Sequence, residues 1–108
     1  MSVRIGDLRR RLTIERANDT SDGAGGFLRS WVNDGEVFAQ ILPRRRREAL
    51  DTGRVIGMVT HVITVRWRDD IDGSVRFKSN GLNYRVRSVE DADPERRFLD
   101  CWCEEEQP

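Results

Sequence analysis

The sequence predicts a mainly β fold: a small antiparallel β-barrel or sandwich of about six to seven strands. One short helix is expected between the third and fourth strands. Three observations predict it. Short runs of alternating apolar and polar residues recur along the chain. Turn signals separate them, among them Asn33-Asp34-Gly35 and Asn80-Gly81. Only one stretch, after Pro43, has the composition of a helix.

The elements follow in order. Arg11–Arg16 reads R-L-T-I-E-R, with Leu12 and Ile14 on one face. Ala17–Gly26 is rich in Gly, Asp and Asn and has almost nothing to bury, so it is a flexible loop or the tip of a long hairpin. Phe27–Val32 is extended again, with Phe27, Arg29 and Trp31 on one side. After the turn, Glu36–Pro43 is a more apolar strand whose Val37, Ala39 and Ile41 share a face. Pro43 is expected to end it, having no N–H for a ladder. Arg44–Val55 is the expected helix, stopped by Gly53 or Gly57. Its apolar face is thin: Ala49, Leu50 and Val55.

Thr60–Arg68 is the strongest strand, with His61, Ile63, Val65 and Trp67 pointing one way. Ser74–Ser79 places Val75 and Phe77 inward. Leu82–Val89 places Leu82, Tyr84, Val86 and Ser88 on one face. Glu90–Glu95 is an acidic turn. Arg97–Glu104 is the last strand, with Leu99, Cys101 and Cys103 on one face and Phe98 and Trp102 on the other.

Composition narrows the function. At 108 residues the chain has room for a single domain, 1–108. Apolar residues are 37% and charged residues 35%, against about 45–50% and about 25% in typical domains. A surface completed by a partner fits that balance. Nineteen basic and nineteen acidic residues cancel, which argues against a general nucleic-acid coat and a polybasic membrane anchor. No apolar run reaches the roughly 20 residues of a membrane span, the opening residues lack a signal-peptide pattern, and no membrane partner is expected. Two Cys, Cys101 and Cys103, are too few for a stapled secreted domain and fit a reducing cytoplasm. Eighteen of the nineteen basic residues are Arg. Arg suits protein interfaces better than Lys, although GC-rich codon usage has the same effect.

Catalytic patterns are absent: no G-x-S-x-G, P-loop or G-x-G-x-x-G occurs. His61 is alone, and a lone strand histidine reads as a structural side chain. Cys101-Trp102-Cys103 would place both sulfurs on one face, with Cα atoms about 7 Å apart on a strand, too far for an unstrained disulfide. With His61 they make three zinc ligands, and nothing supplies a fourth. Two buried thiols beside Leu99 is the favoured reading. No catalytic residue, metal or cofactor is therefore expected. Arg44, Arg45, Arg46 and Arg47 are the one sharp electrostatic feature. They fit contact with DNA phosphates, contact with acidic surface on a neighbouring subunit such as Glu104–Glu106, or a solvated helix start opposed by its dipole.

The ordered set resembles the head–tail joining family of tailed bacteriophages, prophages and gene transfer agents. The residues that carry the resemblance are I-G-D-L-R-R-R-L-T-I-E-R (5–16), Gly25-Gly26 leading to Trp31, V-F-A-Q-I-L-P (37–43) and R-E-A-L (47–50). T-H-V-I-T-V-R-W (60–67), G-L-N-Y-R-V (81–86) and E-R-R-F-L-D-C-W-C-E (95–104) complete it. The unbroken Arg44–Arg47 and the doubled Cys depart from the family pattern. The resemblance implies a non-enzymatic head-closure (stopper) subunit in the neck of a virion or phage-like particle, made in the bacterial cytoplasm. It implies a sixfold or twelvefold homo-oligomeric ring with adaptor and portal on one side, the tail-terminator side on the other and packaged double-stranded DNA in the channel.

A portal-proximal adaptor is the nearest alternative, but adaptors of the family are typically helical. A small nucleic-acid-binding β-barrel is another; Arg66-Trp67-Arg68 hints at it, with Trp67 expected in the core. Docking is expected at the Ala17–Gly26 loop through Asp22, Gly23, Gly25 and Gly26, which order on contact.

Overall fold

The computed structural model describes residues 5–49 and 55–106. A short 3-10 turn, Ile5–Asp7, leads into six strands: β1 (Arg10–Ser21), β2 (Phe27–Ala49), β3 (Val55–Arg66), β4 (Val75–Ser79), β5 (Leu82–Asp91) and β6 (Phe98–Glu106). All pairings are antiparallel, and the sheet closes as a barrel in the order β1-β2-β3-β6-β5-β4. The alternation dictates the interior. Leu12, Ile14, Ala39, Ile63, Val65, Val75, Phe77, Val86, Cys101 and Cys103 are essentially sealed from solvent, and Tyr84 and Leu99 nearly so. Val37, Ile41, Leu82 and Val89 pack against this cluster from its margins.

The mainly β expectation holds, with four local differences. First, the expected second and third strands are one continuous strand, β2. Asn33-Asp34-Gly35 makes a bulge, not a turn: Asp34 and Gly35 together stand opposite Ile14, between the pairs Thr13–Glu36 and Glu15–Asn33. Gly35 supplies the left-handed backbone that this requires, at φ +104°.

Second, the expected helix is replaced by strand. Arg44–Ala49 continues β2 and pairs with the start of β3, through Arg46–Val59, Arg47–Met58, Glu48–Gly57 and Ala49–Val55. Residues 50–54 of the expected helix lie outside the described residues. A helix there would have set four cations at the positive end of its dipole with few apolar residues to bury, whereas pairing with β3 satisfies the backbone directly. Pro43 does not end the strand. It sits opposite His61, and a second bulge follows at once, with Arg44 and Arg45 opposite Thr60. That is a tolerated place for a residue without an N–H.

Third, an irregularity at Arg87 shifts the alternation in β5. Val89, not Ser88, therefore follows Leu82, Tyr84 and Val86 against the core. Fourth, Trp67 is not core. β3 ends at Arg66, the Trp67 ring is 39% exposed, and its indole N–H donates to Asp91 at 3.1 Å.

Candidate functional site

Two hairpins leave the barrel in opposite directions, because β2 enters from one and exits into the other. β1 has β4 beside it only over Thr13–Arg16, and β2 gains β3 only from Ala39. The upper parts of β1 and β2 are therefore a two-stranded ribbon, paired from Ala17–Trp31 to Ser21–Phe27.

The ribbon's tip is a built turn. The Asp22 carboxylate accepts the N–H groups of Ala24 (2.8 Å) and Gly26 (3.1 Å). The Asp22 N–H donates to the Gly26 carbonyl at 3.1 Å, and the Gly23 N–H to Ser21 Oγ at 3.2 Å. Gly23 (φ +80°) and Gly25 (φ +84°) take left-handed positions. A Cβ on Gly26 would lie 2.7 Å from Asp22 Oδ2. The four residues expected at a docking loop are thus gathered in one compact turn.

The ribbon's base is latched to the barrel wall. On the outer face, Arg76 of β4 donates to Glu15 at 2.7 Å, with both side chains mostly buried. The Trp31 ring lies over two guanidiniums, Arg76 at 4.4 Å and Arg85 at 5.4 Å from its centroid. At the barrel rim, Arg16 bridges Asp34 (3.0 Å) and Asp70 (3.6 Å). Arg68 grips Asp70 with two bonds of 2.8 Å, and its guanidinium holds the Asp70 carboxyl below the usual carboxylate range.

The ribbon presents apolar side chains among polar ones. Phe27 is 74% exposed, Leu28 64% and Val32 50%. Arg29 and Asp19 form a two-bond ion pair across it, at 2.8 and 3.1 Å. Lower on β2, Phe38 is half exposed under the Arg11 guanidinium, 5.3 Å from its centroid. Leu8, Val37, Phe38, Glu36 and Arg66 line a shallow groove there.

Of the four arginines, Arg44 and Arg45 are exposed on the β2 bulge, and neither makes an ion pair with a described side chain. Arg44 donates to the Pro43 carbonyl at 3.0 Å. Arg46 and Arg47 continue the strand opposite Val59 and Met58. The arginines and the Asp22–Gly26 turn lie at the two ends of β2 and do not form one site. The acidic tail is partly engaged within the chain. Glu104 accepts the Met58 N–H (2.9 Å) and an Arg87 N–H (2.6 Å), the first being the larger cause of its lowered pKa.

His61 Nδ1 lies 2.9 Å from Thr60 Oγ1, and its ring meets Tyr84 edge-on at 5.1 Å. Cys101 and Cys103 are free, buried thiols. Burial pushes Cys101 up to about 12 and Cys103 well above its ordinary value. Among the described residues no group of three or more His, Cys, Asp and Glu could hold a metal ion, and no helix is long and apolar enough to cross a membrane. Sequence reasoning missed the Glu15–Arg76–Trp31 latch and the exposed Leu28 and Val32. Their signal was present, as apolar residues alternating with Ser30 on the face opposite Trp31.

Fold and surfaces together define a small closed β-barrel from which two hairpins extend. The chain belongs to the phage head completion protein family, whose model matches residues 3–106. No curated protein matches it significantly in sequence. Two solved structures are similar over nearly the whole chain. One is a chain of the virion of a native gene transfer agent particle, 27% identical, covering 94% of this chain and 97% of that one at a TM-score of 0.69. The other is the solution structure of a protein from Shigella flexneri 2a, 28% identical, covering 95% and 96% at a TM-score of 0.69. The family confirms the resemblance read from the sequence and makes this a structural head-closure protein.

Proposed function

We propose that the chain is the stopper-type subunit of the neck, acting through contact and without turnover. Copies of it form a closed ring of six or twelve in the virion or gene transfer agent particle, joining the portal–adaptor complex to the tail-terminator side and helping to retain packaged DNA. The observation that carries this reading is the architecture of β2. One 23-residue strand ties a hairpin with exposed Phe27 and Leu28 at one end of the barrel to an arginine-bearing hairpin at the other. A subunit that must hold one partner above and another below needs such a spacer. The Asp22–Gly26 turn is the docking element, and Arg44–Arg47 meet acidic protein surface or DNA phosphates without reading sequence. The nearly all-β fold favours the stopper over the adaptor position, and residues 1–108 act as one connector domain.

The test is genetic and biochemical. Heads assembled without this chain should lose packaged DNA on dilution and fail to join tails, and adding the purified chain should restore both. Heads that retain DNA and join tails equally well without it would overturn the assignment.

One observation favours the nucleic-acid-binding reading: Trp67 is exposed between Arg66 and Arg68. Arg68 is, however, committed to Asp70 by two bonds, which leaves little of a stacking platform. A steep fall in DNA affinity of the isolated chain with salt would favour that reading.

A further inference from the structure

We propose that the two open edges of the β1–β2 ribbon are the seam between copies: the β2 edge of one chain (27–29) pairs antiparallel with the β1 edge of the next (19–21), beyond the Ala17–Ser74 bond. This rests on the ring reading and specifies how the ring closes.

The backbone direction of each edge follows from one bond. The Ala17 N–H donates to the Ser74 carbonyl at 2.8 Å, away from β2. Antiparallel ladders alternate bonded and non-bonded pairs, so Asp19 and Ser21 also aim their backbone groups away from β2. Their partners Trp31, Arg29 and Phe27 aim theirs away from β1. Among the described residues no strand meets either edge. The β2 edge carries no Pro and no Lys, and is rich in β-formers, so it lacks the usual protection of a free edge. A two-stranded ribbon is also marginal by itself in water. Exposed Leu28 and Val32 lie on one face of it and Phe27 on the other.

A second copy fits for two reasons. In sequence order β1 and β2 run opposite ways, so β2 of one ribbon beside β1 of the next continues the antiparallel alternation without a break. The charges also complement each other. Asp19 and Arg29 already pair across the ribbon, so a neighbour at the same level sets its Asp19 beside this Arg29, and opposite charges alternate around the ring. The contact is heterologous, using different edges on each copy, as a closed ring requires. The groove beside Glu36, Val37 and Phe38 continues the same edge and is covered by the neighbour.

Proline tests the seam, because at an outward-facing position it removes an edge N–H and leaves the ladder inside the hairpin intact. Arg29→Pro disables the β2 edge, Asp19→Pro the β1 edge, and Arg29→Ala removes the charge alone. By native mass spectrometry of the full chain, wild type and Arg29→Ala should form rings, and each proline variant alone should stay monomeric. The two proline variants mixed should give one-to-one heterodimers and nothing larger, since one live edge of each remains; their pairing also shows that both are folded. Where wild type assembles only on heads, the same chains are read there by uptake: wild type and Arg29→Ala load fully, and either proline chain alone does not.

Rings from either proline variant, or a mixture that stays monomeric while wild type assembles, would overturn the seam and leave the ring reading standing. Wild type that stays monomeric both free and on heads would overturn the ring reading and the seam together.

Discussion

Replacing Trp31 by Ala removes the clamp that sets the ribbon against the barrel. The ring covers Arg76 and Arg85, at 4.4 and 5.4 Å from its centroid, and the residue is only partly exposed. Aromatic side chains bury about 150–250 Å². Taking the low end at ~25 cal/mol per Å² gives about 4 kcal/mol as an upper limit. Compactness of the unfolded chain reduces that to ~2–3 kcal/mol, and each lost cation–π contact adds roughly 0.5–1 kcal/mol at a half-exposed site. Arg76 keeps Glu15 at 2.7 Å, whereas Arg85, whose buried Nε has no hydrogen-bond partner among the described residues, loses the ring that covers it. The expected loss is about 3–5 kcal/mol, a fall in Tm of roughly 12–20 °C for a domain of this size. Thermal unfolding reads the total. Amide exchange should show lost protection over 17–21 and 27–32 well before the β3–β6 core. A variant within about 0.5 kcal/mol of wild type, with ribbon amides equally protected, would refute the latch.

Three further outcomes follow from the geometry. Gly35→Ala meets no atom within 4 Å but must hold φ +104°; it should cost about 1–2 kcal/mol from backbone strain alone, read by urea unfolding. The carboxyls of Asp70, Asp72 and Glu104 are held below their ordinary values, chiefly by Arg68, Ser74 and the Met58 N–H respectively. Because the folded values are depressed, their contribution is present above the ordinary carboxylate range and lost as pH falls through the folded values. Stability should therefore be flat from neutral pH down to the ordinary values and fall below them, and Asp70→Asn should flatten that fall in an acid titration. Finally, Cys101 and Cys103 should resist a thiol reagent at pH 8 in the folded protein, since burial keeps them protonated, and both should react at once in denaturant.

Much of the barrel was legible because period-2 alternation is enforced by closure. Leu12, Ile14, Val75, Phe77, Leu99, Cys101 and Cys103 fall inside as the pattern requires. The two largest misreadings share one physical cause: local signals were overridden by pairing with a distant strand. Asn33-Asp34-Gly35 has the residues of a turn, but β1 runs past it, and the same glycine serves a bulge. Arg44–Ala49 has helix-forming residues, but β3 offers a ladder that the thin apolar face could not outweigh. Arg87 shifts the register by one residue, which no local pattern in Leu82–Val89 reveals. The candidate site was legible only in part. The Arg run and the Gly-rich turn announce themselves by composition. The latch joins Glu15, Trp31, Arg76 and Arg85 from four strands, and only the closed sheet brings them together.

The central claim is that this chain works as a ring between head and tail. The most direct measurement is native mass spectrometry of the purified chain, alone and after mixing with particles that carry the portal and adaptor. The account predicts closed oligomers of six or twelve copies, or uptake onto particles at that stoichiometry. A chain that remains monomeric, ignores the particles and binds free DNA would contradict it.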